Sequence, residues 1–198
     1  METAESLHAC WFGGNADEAA ADRQSKLWWS KSATLDAELA ARFTPMVEAA
    51  RAGALDGWAD TAQGALAFIL LTDQLPRNIY RDTPAAFASD PMARAAAVDG
   101  IERGTDRQLT LIERVFFYLP LEHAESLADQ DRSVSLYTQL SEEAPGSQGE
   151  RYRNFLDYAR RHRRVIERFG RFPHRNAIIG RQSTPEEIAF LQEPGSSF

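Results

Sequence analysis

The stretch ALAFILL, residues 65–71, constrains this chain more than any other. Wound into a helix it is apolar on every side, and such a helix is stable only with other elements packed around it. It is far too short to cross a bilayer, which takes about 20 apolar residues. The run marks a buried central helix over residues 61–74. Pro76 is expected to end it, because the residue before a proline is pushed out of the helical region. Asp73 then falls in the last turn, at the negative end of the helix dipole. A carboxylate there is unfavourable by some tenths of a kcal/mol, and burial adds several more unless the charge is paired. Asp73 therefore needs a cation. Arg77 is the local candidate, and Arg168, Arg171, Arg175 and Arg181 are the remote ones.

The rest of the pattern is helical too, with no period-two alternation and an excess of Ala, Leu, Arg and Glu. Thr3 is placed to cap a short helix ending near Trp11, ahead of Gly13-Gly14. A second helix reaches from about Asp17 to Trp29, and a third covers about residues 32–51. Pro45 is expected to kink or split the third, with Thr44 as a new cap, and Gly53 and Gly57 mark its exit. Thr83-Pro84 and Asp90-Pro91 each read as an N-cap followed by proline at the first helical position. The helix opened by Asp90 runs to about Arg103 and is closed by Gly104. Residues 107–119 form an amphipathic helix with Leu109, Ile112, Phe116 and Leu119 on one side. Pro120 interrupts, and another helix follows over about residues 121–143.

APGSQG, residues 144–149, is a linker by composition. From Glu150 to Phe169, Tyr152, Phe155, Tyr158, His162, Val165 or Ile166, and Phe169 recur at helical spacing, with Gly170 as the stop. Thr184-Pro185-Glu186-Glu187 is a capping box. It opens a short last helix that returns Ile188, Phe190 and Leu191 to the core. The expectation is an all-α fold, one domain over residues 1–198, with roughly eight to ten helices.

A chain with 43% hydrophobic and 26% charged residues has the composition of a soluble globular protein. No basic-then-apolar leader opens it. Its single cysteine, Cys10, allows no internal disulfide, which suits a reducing cytoplasm. The net charge of −7 hides an asymmetry: residues 150–181 hold ten Arg against three acids, a balance of +7, so the remainder carries −14. Either two faces of one domain attract each other, or the basic segment is a site for an anion.

Two bends read alike. LPRNIYRDTP, residues 75–84, and FPHRNAIIGRQSTP, residues 172–185, share a proline, an Arg-Asn pair, an Ile, a further Arg and a closing Thr-Pro. Turn chemistry accounts for Pro, Asn and Thr. It does not account for an Arg directly before each Asn. If both bends face one cavity, the ligand-binding candidates are Arg77, Asn78, Arg171, His174, Arg175, Asn176 and Arg181.

TDQLPRNIYRDTPAAFASD, ERVFFYLPLEHAES and RFGRFPHRNAIIGRQSTPEEIAFL resemble the three signature segments of the bacterial domain-of-unknown-function family 924. CWFGG and LWWSK fit as well, so the resemblance covers about residues 11–198. It implies an all-α fold similar to a TPR-like antiparallel helical superhelix, and no established activity. Leu75 stands where the family pattern has Phe, and Ala124 stands where it has Ser. The second change removes a hydroxyl beside His123.

Chemical motifs are sparse. HExxH, CxxC, G-x-S-x-G and glycine-rich phosphate loops are all missing. The pair His123 and Glu125 is the nearest approach to metal ligands, so neither a metal nor a cofactor is expected. His162 lies on an apolar stripe and reads as a packed histidine. Acid–base candidates are His174, His123, Asp73 and Glu125, and Glu113 joins them if the signature segments meet. The aromatics Trp11, Trp28, Trp29, Phe116, Phe117 and Tyr118 read as core. Acidic net charge argues against nucleic acid. The expected function is a binding module with an Arg-, Asn- and His-lined polar cavity for a small anion. The alternatives are an adaptor that takes a protein segment in a helical groove, and an enzyme acting on an anionic substrate. Oligomeric state is not legible.

Overall fold

Residues 62–79 form the axis around which the other helices pack. The computed structural model describes residues 2–196, and among these it holds helices and turns but no strand. The closing Ser197-Phe198 of the family-like region lies outside the described residues. Helix α1 spans Ala4–Phe12, α2 Ala20–Trp29 and α3 Ala33–Arg51. Helix α4 (Ala62–Ile69) is capped by Thr61, whose Oγ1 accepts the Gly64 N–H at 3.1 Å, and it is buried on nearly every side.

Pro76 does not end this helix. The chain widens into a π-turn at Leu70–Gln74, where the Leu75 N–H donates to the Leu70 carbonyl, and continues as α5 (Leu75–Ile79). Leu75 stays helical at φ −59°, ψ −39° in spite of the following proline. In a regular helix the Pro76 ring would press on the Thr72 carbonyl; the extra residue in the wide turn relieves that clash.

The other two interior prolines are absorbed as well. Helix α3 runs through Pro45, and Thr44 is no cap: its hydroxyl donates to the Ala40 carbonyl at 2.7 Å. Buried Phe43, Met46 and Val47 flank the proline and outweigh its cost. Helix α7 (Leu111–Glu122) runs through Pro120, and every residue from Ile112 to Glu122 is buried. It is thus a second all-round buried helix rather than an amphipathic one. Because it uses residues up to Glu122, α8 begins only at Leu127, behind the Ser126 cap, and ends at Glu143.

Helix α6 covers Asp90–Glu102, with Ser89 rather than Asp90 in the N-cap position. Thr83 opens only a 3-10 turn, and its hydroxyl bonds back to the Tyr80 carbonyl. Helix α9 (Gly149–Phe169) closes on Gly170 at φ 69°, a left-handed stop. Helix α10 (Pro185–Phe190) does not return all three of its apolar residues to the core. Phe190 packs on Phe169 at 5.0 Å in a small satellite cluster with Val165, Ile166 and Phe172, while Ile188 is 54% exposed.

The main core joins residues of α1 to α9 in one cluster. Trp11, Phe12 and Trp28 all meet Phe116 edge-on within it. Helices α7, α8 and α9 pack in chain order, each against the next, which is compatible with a TPR-like stack. No described helix is long and apolar enough to cross a membrane.

Candidate functional site

The π-turn places Asp73 at the centre of the site. Its side chain is fully buried. Oδ1 accepts from His123 Nδ1 at 2.7 Å and faces Arg77 Nη1 at 3.2 Å, and Oδ2 accepts from Gln74 Nε2 at 2.5 Å. Burial by itself would raise its pKa. Arg77, His123 and the hydrogen bonds prevail and hold the carboxyl well below the usual carboxylate range. The cation that Asp73 requires is therefore Arg77, one turn away, and none of the remote arginines bonds to it.

His123 stands just beyond the last turn of α7. With Asp73 as the carboxylate that accepts from Nδ1, the ring proton belongs to Nδ1 and the lone pair to Nε2. Burial, then Arg77, lowers the pKa of His123 below its ordinary value, against the opposing pull of Asp73.

The two Arg-Asn bends do meet, but at Asp90. Arg77 donates to both Asp90 oxygens, at 2.9 and 3.0 Å, and Arg175 Nη1 reaches Oδ2 at 3.3 Å. Asp90 is thus the shared carboxylate in place of Asp73. Arg175 Nη2 donates to the His123 carbonyl at 3.1 Å. The Arg175 guanidinium packs against the rings of Phe87 and Phe172, at 4.8 and 4.6 Å. Only 7% of Arg175 is exposed, and its Nε has no hydrogen-bond partner among the described residues. Burial, then the charge of Arg77, pushes its pKa down to about 10.

The remaining nominated residues point elsewhere. Asn78 donates to Asp36 at 2.9 Å on α3, beside the Arg81–Asp36 fork. Arg171 forks onto Glu187 at 2.6 and 2.8 Å. Asn176 is fully buried and donates to Ser183 and Glu187, while its Oδ1 accepts from Arg181 Nε at 2.9 Å. Arg181 forks onto Glu125 at 2.6 and 2.8 Å. Glu125 also accepts the Phe172 N–H at 2.8 Å, so it is tied to the bend while its residue lines the same cleft as His123 and Arg175. Arg171, Asn176 and Arg181 thus hold the second bend to α10 and to Glu125, while Asn78 ties the first bend to α3. His174 packs against the Phe172 ring, and burial, then Arg175, lowers its pKa to about 4.

His123 and Arg175 line a cleft of about 370 Å3, together with Phe87, Asp90, Arg94 and Ser126. Arg94 is forked onto Asp129 at 2.8 Å on each arm. A second cleft, of about 470 Å3, is lined by Cys10, Leu27, Leu39 and Arg42 and is remote from this cluster.

Sequence reasoning passed over Asp90, Phe87 and Glu122. Asp90-Pro91 carries a helix-start signature, which masked its ionic role. Nothing in the sequence sets Phe87 apart. Glu122 is buried 3.1 Å from His162 Nδ1, and burial, then the nearby charge of Asp73, raises its pKa to about 8. His162, read as a packed histidine, is buried with Nδ1 2.9 Å from the Tyr158 carbonyl.

Fold and geometry together define an all-helical protein with an internal Asp–His–Arg cluster that opens on a small cleft. The chain belongs to the family described as Bacterial protein of unknown function (DUF924), whose model matches residues 7–195. The solved structure of the protein of unknown function ATU0120 from Agrobacterium tumefaciens is similar: it is 39% identical, the match covers 96% of both chains, and the TM-score is 0.81. No curated relative matches this chain.

Proposed function

We propose that the protein binds a small monoanion, of the carboxylate class, in the cleft bounded by Phe87, Asp90, His123 and Arg175. The condition of Arg175 carries this reading. A guanidinium has five N–H donors. Arg175 spends one on the His123 carbonyl and one on an Asp90 oxygen that Arg77 already holds more closely, and its Nε spends none. A buried cation with so few partners is costly unless an anion joins it. The rings of Phe87 and Phe172 pack against the guanidinium and keep it in the apolar wall of the site.

One negative charge suits the site better than two. Arg77 is already matched by Asp73 and Asp90, Arg94 by Asp129, and Arg181 by Glu125. A dianion such as phosphate would face those carboxylates with a single under-matched guanidinium to offset it. In this reading Arg171, Asn176 and Arg181 pin the second bend, the role the adaptor alternative gave them. The cytoplasmic setting, the TPR-like stack and the single-domain unit belong to the same proposal.

Thermal-shift titration with acetate, malonate and inorganic phosphate tests it. Acetate should raise the melting temperature saturably, with phosphate the weakest of the three. Arg175→Gln, folded by circular dichroism, should abolish the shift. An acetate response unchanged in that variant would end the reading.

A further inference from the structure

We infer that the cleft is a hydrolytic site in which His123, oriented by Asp73, acts as general base for the attack of water on a small carboxylic ester. The inference rests on the proposed carboxylate site, since the product of such a reaction is the anion that the site would hold.

Three observations converge. The first is the Asp73–His123 contact of 2.7 Å between Oδ1 and Nδ1, which commits the ring proton to the buried side. Nε2, the basic nitrogen, belongs to a ring whose residue lines the cleft and keeps 14% of its side chain exposed. The second is the position of Arg175, whose Nη2 bonds to the carbonyl of His123 itself. The cation is therefore anchored on the residue that carries the base, and both residues line the one cleft. The third is the carrier of Asp73. A π-turn inside a buried helix is rare and frequent at functional sites; here it accommodates Pro76 and also delivers a fully buried carboxylate to a histidine. No cysteine or lysine lines the cleft, and Ser126 Oγ accepts the Asp129 N–H as a helix cap. The nucleophile assigned to this step is water, and Ser126 keeps its part in the cap.

The step balances without a further reactant. Water gives a proton to His123 Nε2 as its oxygen bonds to the ester carbonyl carbon. The carbonyl π pair moves onto oxygen, where Arg175 stabilises the oxyanion. Collapse restores the carbonyl and breaks the bond to the alcohol oxygen, which takes the proton back from Nε2. The acid product loses its own proton to solvent and remains as a carboxylate beside Arg175.

Charged and titratable groups face His123 from every side: Asp73 on the π-turn, Arg77 on α5, Asp90 on α6, Glu122 on α7, His162 on α9, and His174 and Arg175 on the second bend. The experiment follows hydrolysis of 4-nitrophenyl acetate by the full chain across pH, with acetate as inhibitor. The wild-type rate should rise along one limb that reflects loss of a proton from His123. Acetate should inhibit competitively. His123→Gln should lower kcat by about 100-fold or more while acetate still raises the melting temperature. Asp73→Asn should lower kcat and move the limb to lower pH, because the carboxylate that favours the protonated ring is gone. His8→Gln, at a histidine paired with Glu113, controls for adventitious hydrolysis and should leave the rate unchanged. Acetate binding with no turnover, or a rate that survives His123→Gln, overturns catalysis and leaves the binding reading intact. Loss of acetate binding in the wild type overturns both.

Discussion

Arg175 and Asp90 lie 85 residues apart in the sequence and 3.3 Å apart in the fold. That contact closes the second Arg-Asn bend onto the start of α6, and Arg77 closes the first bend onto the same carboxylate. The site is thus assembled by one acid that two remote arginines share.

Asp90→Asn follows directly from this arrangement. Arg77 keeps Asp73, but Arg175 loses the only carboxylate bonded to it among the described residues. Breaking a buried pair by removing one partner costs on the order of 3 kcal/mol. Urea denaturation should give a lower midpoint with an unchanged slope. An unaltered midpoint would mean that Asp90 is dispensable.

Glu122 sets a pH dependence. Its folded pKa, about 8, is raised above the ordinary carboxyl value of 4.5. Its stabilising contribution is complete below pH 4.5, where both states are protonated. It is lost progressively as pH climbs to about 8, because the unfolded chain ionises first. His162, with a lowered pKa, acts in the opposite sense, losing its contribution as pH falls. That behaviour is common to wild type and Glu122→Gln, so the difference between the two isolates Glu122. Chemical denaturation at pH 5 and pH 8 should show Glu122→Gln gaining on the wild type by a few kcal/mol at the higher value. Equal losses would contradict the burial argument.

Packing around α6 gives a test independent of charge. A Cβ on Gly100 would stand 2.5 Å from Cζ of Phe117, a fully buried ring. Gly100→Ala should destabilise by roughly 1–3 kcal/mol through overpacking. Gly57→Ala meets nothing within 4 Å and should be neutral. Melting temperatures of the two variants decide the point.

The all-α class, a buried central helix over residues 61–74, and the Gly104 and Gly170 stops were legible because periodicity and turn chemistry are local signals. The three interior prolines misled. Each is held in its helix by buried neighbours that no local rule counts, and Pro76 also by a π-turn. The need of Asp73 for a cation was legible from dipole and burial, and Arg77 meets it. The echo of two Arg-Asn bends pointed to Arg77 and Arg175, yet Asn78 and Asn176 turned away to Asp36 and to the Ser183–Glu187 pair. Side-chain direction at a bend depends on which carboxylate lies nearest in space, and sequence spacing does not carry that information. Asp90 was hidden by a cap signature that Ser89 took over.

The most direct test of the account is nitrogen-15 NMR of the arginine guanidinium groups during titration with acetate. The expected result is a saturable shift of the Arg175 resonances together with His123 Nε2, while Arg171 and Arg181 stay fixed in their carboxylate forks. Arg175 resonances that do not move while an exposed arginine such as Arg153 does would contradict it.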